Sequence, residues 1–406
     1  MKEKIVLTFL LIIILPWIVG CLDPIEPVIR NNDDDDNGHE IIVTDMEIAT
    51  YIRTWSSWTV NRIKGEYLSE FIIAFARISE TDGYSLYIPA VTNNTFPNLW
   101  NEVAALKVKF PHMKIKLSVG GGSERGFPAM SADPVKRANF AANLCQWVVT
   151  RNLDGVDIDW EFPVRPITGG VEPTERDTYI ALLQEVRNAL DDLGEQNDRY
   201  YSLSAAVPVQ RTFTTDNDVE AAANIVDQLK LMAYDFYGSW SATTGHNVKL
   251  YSDPSIPLNN PESNSIDRSI NAYIDAGVPP GKISLGIAFY GFYWDGIDAG
   301  DNANAPGLLQ PRNPTSSRDQ IAWSNLRSNL NPSSGFIRYW DDIAKAPFLY
   351  NSSSKRWITY TDHEQIELLA AYAKEKKLGG VFIWELFHDP DNELLQTLVD
   401  NLQSED

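Results

Sequence analysis

Asp154-Gly155-Val156-Asp157-Ile158-Asp159-Trp160-Glu161 alternates acidic and apolar residues with a period of two. An extended chain sends successive side chains to opposite faces. Asp157, Asp159 and Glu161 therefore share one face, and Val156, Ile158 and Trp160 the other. The apolar face suits packing against helices. The acidic face, if turned inward, is costly unless the carboxyls do something. Three neighbouring carboxyls cannot all ionise cheaply, because like charge and desolvation each raise a carboxyl pKa. Such a row keeps a proton near neutral pH and can donate it in a reaction. It titrates as a set, so no single pKa belongs to one member. A calcium loop would need a Gly at its turn and spaced polar ligands. Val, Ile and Trp between the acids make a strand instead.

Outward from this segment, short apolar runs alternate with helical patterns. The predicted strands are Met46–Ile52, Phe71–Ala76, Lys114–Gly120, Gly155–Glu161, Ser202–Val207, Gln228–Tyr234, Ile283–Phe289 and Gly380–Trp384. Helical spacing is clearest over Asp177–Leu193, with Ile180, Leu183, Val186 and Leu190, and over Glu364–Lys376, with Leu368, Leu369 and Tyr372. Strand–helix alternation argues for parallel strands. Eight such units fit an α/β (β/α)8 TIM barrel better than an open sheet. The barrel would occupy residues 45–406 and place Glu161 at the C-terminal rim, where barrels of this type carry their active sites. Between strands 7 and 8, residues 293–360 are too many for one connection and are expected to form a small insertion that walls the site.

The ends and the composition add an address and exclude partners. Residues 1–21 have a basic start at Lys2 and Lys4, then an apolar run from Ile5 to Leu15 too short to span a bilayer comfortably. They read as a signal segment. Ile18-Val19-Gly20-Cys21 resembles the lipobox of prokaryotic lipoproteins, which implies cleavage before Cys21 and a lipid on its sulfur. Residues 22–44, with Asp33 to Asp36 in succession, read as an acidic flexible tether. The chain is then exported and lipid-anchored at the cell envelope or surface. Formal net charge is -21, which disfavours a nucleic-acid partner. The five histidines show neither ligand spacing nor an HExxH pattern, so no metal and no cofactor is expected. With Cys21 accounted for, Cys145 is a single thiol on a helix, expected to be buried and inert. A monomer is the default expectation.

The Asp154–Pro163 run resembles the Asp-x-x-Asp-x-Asp-x-Glu signature of family 18 glycoside hydrolases, in particular bacterial-type chitinases. Ser118-Val119-Gly120-Gly121, Met232-Ala233-Tyr234-Asp235-Phe236-Tyr237-Gly238, Gly286–Gly291 and Gly379–Trp384 resemble further motifs of that family in the same order. The resemblance implies retaining, substrate-assisted hydrolysis of β-1,4 N-acetylglucosamine linkages in chitin and chito-oligosaccharides, a scheme outside the usual two-carboxylate pattern. It implies Glu161 as acid and base, Asp159 as partner of the acetamido group, and Asp157 as its proton-sharing neighbour. Tyr234 would position the acetamido oxygen. Trp384 would floor the cleavage subsite, with Met232, Asp235, Tyr51 and Phe75 lining it. Ser118 and Tyr51 would support Asp157, and Asp154 would be structural. An endo-β-N-acetylglucosaminidase acting on N-glycans and a chitin-binding lectin on an inactive hydrolase fold are the alternatives. Three positions depart from the family pattern: Gly122 stands where Trp is frequent, Ala288 for a common Pro, and Phe292 for a common Arg.

Overall fold

A computed structural model describes Thr44 and residues 46–80, 83–163 and 175–403. The expected signal segment, Cys21 and the expected tether up to residue 43 lie outside the described residues. Thr44 itself forms an antiparallel bridge with Gln403.

Eight parallel strands close on themselves. They are β1 (Glu47–Arg53), β2 (Glu70–Ile78), β3 (Lys114–Gly120), β4 (Gly155–Asp159), β5 (Ser202–Pro208), β6 (Gln228–Met232), β7 (Ile283–Ala288) and β8 (Gly380–Trp384). Each pairs with its sequence neighbours, and β1 pairs with both β2 and β8, so the sheet is a closed (β/α)8 barrel. Helices cover its outside. Pro134–Thr150 starts where Asp133 accepts the backbone N–H groups of Val135 and Lys136, and it buries Phe140, Leu144 and Val148. Glu175–Asn197 buries Tyr179, Leu182, Leu183, Val186 and Leu190 along one stripe. His363–Glu375 starts at Asp362, which accepts from Gln365 N–H.

Two expected strands end two residues early. β4 stops at Asp159 and β6 at Met232, so Glu161 and Tyr234 lie just beyond the ladder rather than in it. The reason is local: the last bond of β4 is the Gly121 N–H to the Asp159 carbonyl, after which the chain turns over the rim. The apolar face behaves as its pattern requires. Trp160 stacks on Phe127 at 5.2 Å and meets Tyr179 edge-on. Cys145 is half-buried rather than fully buried. Its thiol donates to the Ala189 carbonyl, and burial pushes its pKa up, which keeps it a poor nucleophile.

The insertion is a five-stranded antiparallel sheet. Its strands lie in the order 318–322, 290–294, 356–359, 346–351 and 337–341. The strand at 290–294 follows β7 after Phe289 alone. No helix among the described residues is long and apolar enough to cross a membrane.

Candidate active site

The interior of the barrel is read by register. Ser118 of β3, Asp157 of β4 and Ser204 of β5 are aligned Cα partners, so their side chains form one layer. Within that layer Asp157 is fully buried. Its Oδ2 accepts from Tyr51 Oη at 2.8 Å and Ser118 Oγ at 2.7 Å, and its Oδ1 from Ser204 Oγ at 2.6 Å. Burial, then Asp157, pushes the Tyr51 phenol far above its ordinary value, so the hydroxyl stays a donor.

One layer higher sits Asp159, 3% exposed, with Oδ1 buried and without a hydrogen-bond partner among the described residues. Burial first, then Glu161 and Asp157, raises its pKa well above the usual carboxylate range, against a smaller pull from Arg77. Burial and Asp235 likewise raise Glu161, opposed by Arg77 and the Gly122 backbone N–H. Both therefore hold protons more tightly than free carboxyls, as the sequence pattern required. Burial pushes Asp235 up to about 6 despite a 2.6 Å hydrogen bond from Tyr290 Oη.

Above the row opens a cleft of ≈ 360 Å³ that brings together Asp159, Glu161, Tyr234, Asp235, Met232, Tyr51, Phe75 and Trp384. Among the described residues, every predicted site residue except Asp157 lines it. Asp157 lies beneath, behind its three hydroxyls. The Trp384 ring stacks on Phe75 at 5.7 Å and meets Tyr51 at 5.6 Å, a broad apolar floor of the kind that suits a sugar face. Trp55 and Trp240 stand exposed at the rim, 6.4 Å from Trp384 and 5.3 Å from Phe292 respectively. Three cis peptide bonds, Ala74–Phe75, Glu161–Phe162 and Trp384–Glu385, sit at the same rim.

Other residues fix this geometry. Asp235 has φ 62°, a left-handed conformation that Asp tolerates better than most residues. Asn247 accepts from the Asp235 N–H and donates to the Tyr290 carbonyl, while its own N–H is taken by Thr359. One side chain thus joins the strand-six motif to the insertion. Asp319 and Gln320 of the insertion line the cleft, so the insertion does wall the site. Asp154 binds Lys107, Arg199 and the Ile115 N–H, a structural role. Among the described residues no group of three His, Cys, Asp or Glu side chains is arranged to hold a metal ion.

Sequence reasoning missed Ser204 and a buried triad of Glu70, Lys116 and Lys230 in the layer below. Period-two reading puts two of them on faces that carry site residues, and only the register of the closed barrel turns those faces inward. Lys116 lies two residues before Ser118, and Lys230 two before Met232.

Comparison with known proteins shows the family and the fold. Residues 47–389 match the model of glycosyl hydrolases family 18, and the chain belongs to that family. Chitinase A1 of Niallia circulans is 34% identical over 314 residues, covering 73% of this chain and 44% of that protein. The chain thus spans less than half the length of this curated relative. A solved family 18 N-acetylglucosaminidase from Paenibacillus barengoltzii superposes with a TM-score of 0.75 at 29% identity, covering 88% of this chain and 100% of that one. A chitinase from Bacillus thuringiensis does so with 0.76 at 27%, covering 89% and 71%.

Proposed function

We propose that this chain hydrolyses β-1,4 bonds between N-acetylglucosamine units of chitin and chito-oligosaccharides, with retention and with the substrate's own acetamido oxygen as nucleophile. The observation that carries this is the unpartnered, buried Oδ1 of Asp159 beside Glu161 at the base of an aromatic-floored cleft. That oxygen lacks a donor, and a substrate acetamido N–H is one.

The steps follow from the placement of the groups. With a sugar on Trp384, protonated Glu161 gives its proton to the glycosidic oxygen as the C1–O bond breaks. The acetamido carbonyl oxygen bonds to C1 and forms an oxazolinium ion. Asp159 accepts the hydrogen bond from the acetamido nitrogen, and the negative charge of the row stabilises the positive charge that develops there. Tyr234, whose phenol burial and then Asp235 keep protonated, donates toward the acetamido oxygen and holds it in line. Carboxylate Glu161 then removes a proton from water, which attacks C1, breaks the bond to the acetamido oxygen and regenerates the acid. Two inversions at C1 give retention.

Glu161→Gln tests the assignment. It should lower kcat by about 10²–10⁴-fold and leave oligosaccharide binding in place. Near-wild-type turnover would refute it. Product analysis on penta-N-acetylchitopentaose, its de-N-acetylated counterpart and an N-linked glycopeptide tests the substrate. Cleavage of the acetylated oligomer alone is expected. Glycopeptide cleavage without chito-oligosaccharide cleavage would indicate an endoglycosidase, and binding without any cleavage a lectin. We further propose export with a lipid on Cys21, which the lipobox-like Ile18–Cys21 supports. Cys21→Ala should release the enzyme from the membrane fraction, and retention there would count against the anchor.

A further inference from the structure

Beneath the catalytic row the barrel interior holds three charged side chains where barrels usually pack branched apolar ones. Lys116 Nζ lies 2.6 Å from Glu70 Oε2, and Lys230 Nζ 2.8 Å from Glu70 Oε1, with all three side chains at most 5% exposed. Two ammonium groups against one carboxylate leave a surplus of one positive charge. Buried charge of this kind needs a partner. A short path supplies one. Lys116 Nζ donates to Ser204 Oγ at 3.4 Å, and Ser204 Oγ donates onward to Asp157 Oδ1 at 2.6 Å. An ammonium can only donate and a carboxylate only accept, so the path has a fixed direction, and it ends on Asp157.

The two acids of the row are treated differently. Three hydroxyls donate to Asp157. Asp159 Oδ1 has no donor among the described residues. Donors gather on the charged member of such a pair, and the member without them carries the proton.

We propose that the Glu70–Lys116–Lys230 triad is a positioning device for the reaction, whose surplus positive charge is balanced by the Asp157 carboxylate through Ser204, so that the proton shared within the row rests on Asp159. The triad touches no substrate and acts through Asp157. This inference rests on the hydrolytic reading above. The remaining titratable groups that face the row are Tyr51, Arg77, Glu161, Tyr179, Tyr234, Asp235 and Tyr290, and Asp227, itself paired with Arg187, faces Lys116. None of them separates the two acids as the triad does, because none connects to Asp157 alone except Tyr51, which is neutral.

The test uses the sign of a pH displacement. Glu70→Gln removes a buried anion and should move the acidic limb of the kcat/KM–pH profile to lower pH, by about one unit. Lys116→Met removes a cation and should move it to higher pH by a similar amount. Glu70→Gln combined with Lys230→Met keeps the surplus at one and should leave the limb in place. It also keeps the test decisive if Lys116→Met fails to fold. Limbs that move together, or not at all, while the variants stay folded, would overturn the proposal. Carboxyl titration by difference infrared, without substrate and assigned with Asp159→Asn, should show the same opposite displacements. If those displacements appear in a protein that cleaves no chito-oligosaccharide, the functional reading fails and the triad's role stands. If cleavage is normal and the infrared bands do not move, the triad's role fails alone.

Discussion

Replacing Tyr51 by Phe removes one oxygen atom from the centre of the site and changes little else. The ring packs against Phe382 at 5.5 Å and Trp384 at 5.6 Å, and Phe preserves both contacts. What is lost is the 2.8 Å hydrogen bond to Asp157 Oδ2. A hydrogen bond to a charged group contributes about 1.5–3 kcal/mol. Ser118 still donates to the same oxygen, at 2.7 Å, so the lower half of that range applies. At 1.36 kcal/mol per factor of ten, a loss of about 1.5–2 kcal/mol corresponds to roughly 10–30-fold in rate. Because Tyr51 stabilises the acid behind Asp159 rather than the sugar, the loss should fall on kcat, with KM within about threefold. The assay is initial-rate kinetics on a chromogenic chitobioside at several pH values, alongside a thermal melt. A variant with unchanged kcat and unchanged melting temperature would show that Asp157 needs no support from strand β1, and the layered account of the row would be wrong.

Trp384→Ala should weaken binding of oligosaccharides. Loss of the aromatic floor is worth about 0.5–1.5 kcal/mol beyond area, so KM should rise at least three- to tenfold, measurable by the same kinetics. Asp235→Asn should alter the pH dependence of stability. The Asp235 carboxyl is raised to about 6 in the fold from an ordinary 3.8, so its favourable protonation is complete below pH 4 and lost as pH rises through 6. Wild type should lose on the order of 3 kcal/mol from this group between pH 4 and pH 7.5, and the Asn variant should not. Melts at the two pH values that stay parallel would contradict this. Asn247→Ala leaves the Asp235 N–H and the Tyr290 carbonyl without partners in a buried region, at about 1–3 kcal/mol each. Chemical denaturation should show that loss.

The acidic alternation at Asp157–Glu161 and the strand–helix alternation made the barrel and most of the cleft readable before any coordinates. Both rest on local periodicity, which survives in a linear string. Boundaries were less readable, because β4 and β6 end where the chain turns over the rim, and that turn depends on Gly121 bonding to a strand distant in sequence. Ser204, Lys116 and Lys230 escaped notice for a related reason. A serine or lysine on a strand reads as solvent-facing until the register places it inside a closed barrel opposite Asp157 or Glu70. Asn247 was visible only as part of a motif, and two of its three attachments reach segments more than forty residues away.

The insertion leaves β7 through a single residue, Phe289, which is fully buried and whose N–H bonds to the Trp384 carbonyl. The sheet is thus an extension of the barrel's own ladder, anchored to the residue that floors the cleft. It is not a detachable module. A chimera that exchanges this sheet for a relative's would have to carry the ends of β7 and β8 with it. The hairpin between residues 341 and 346 is tied down as well, because the Ala344 carbonyl accepts from the Leu250 N–H and the Lys345 carbonyl from Gln365, so it too would have to travel with its barrel partners.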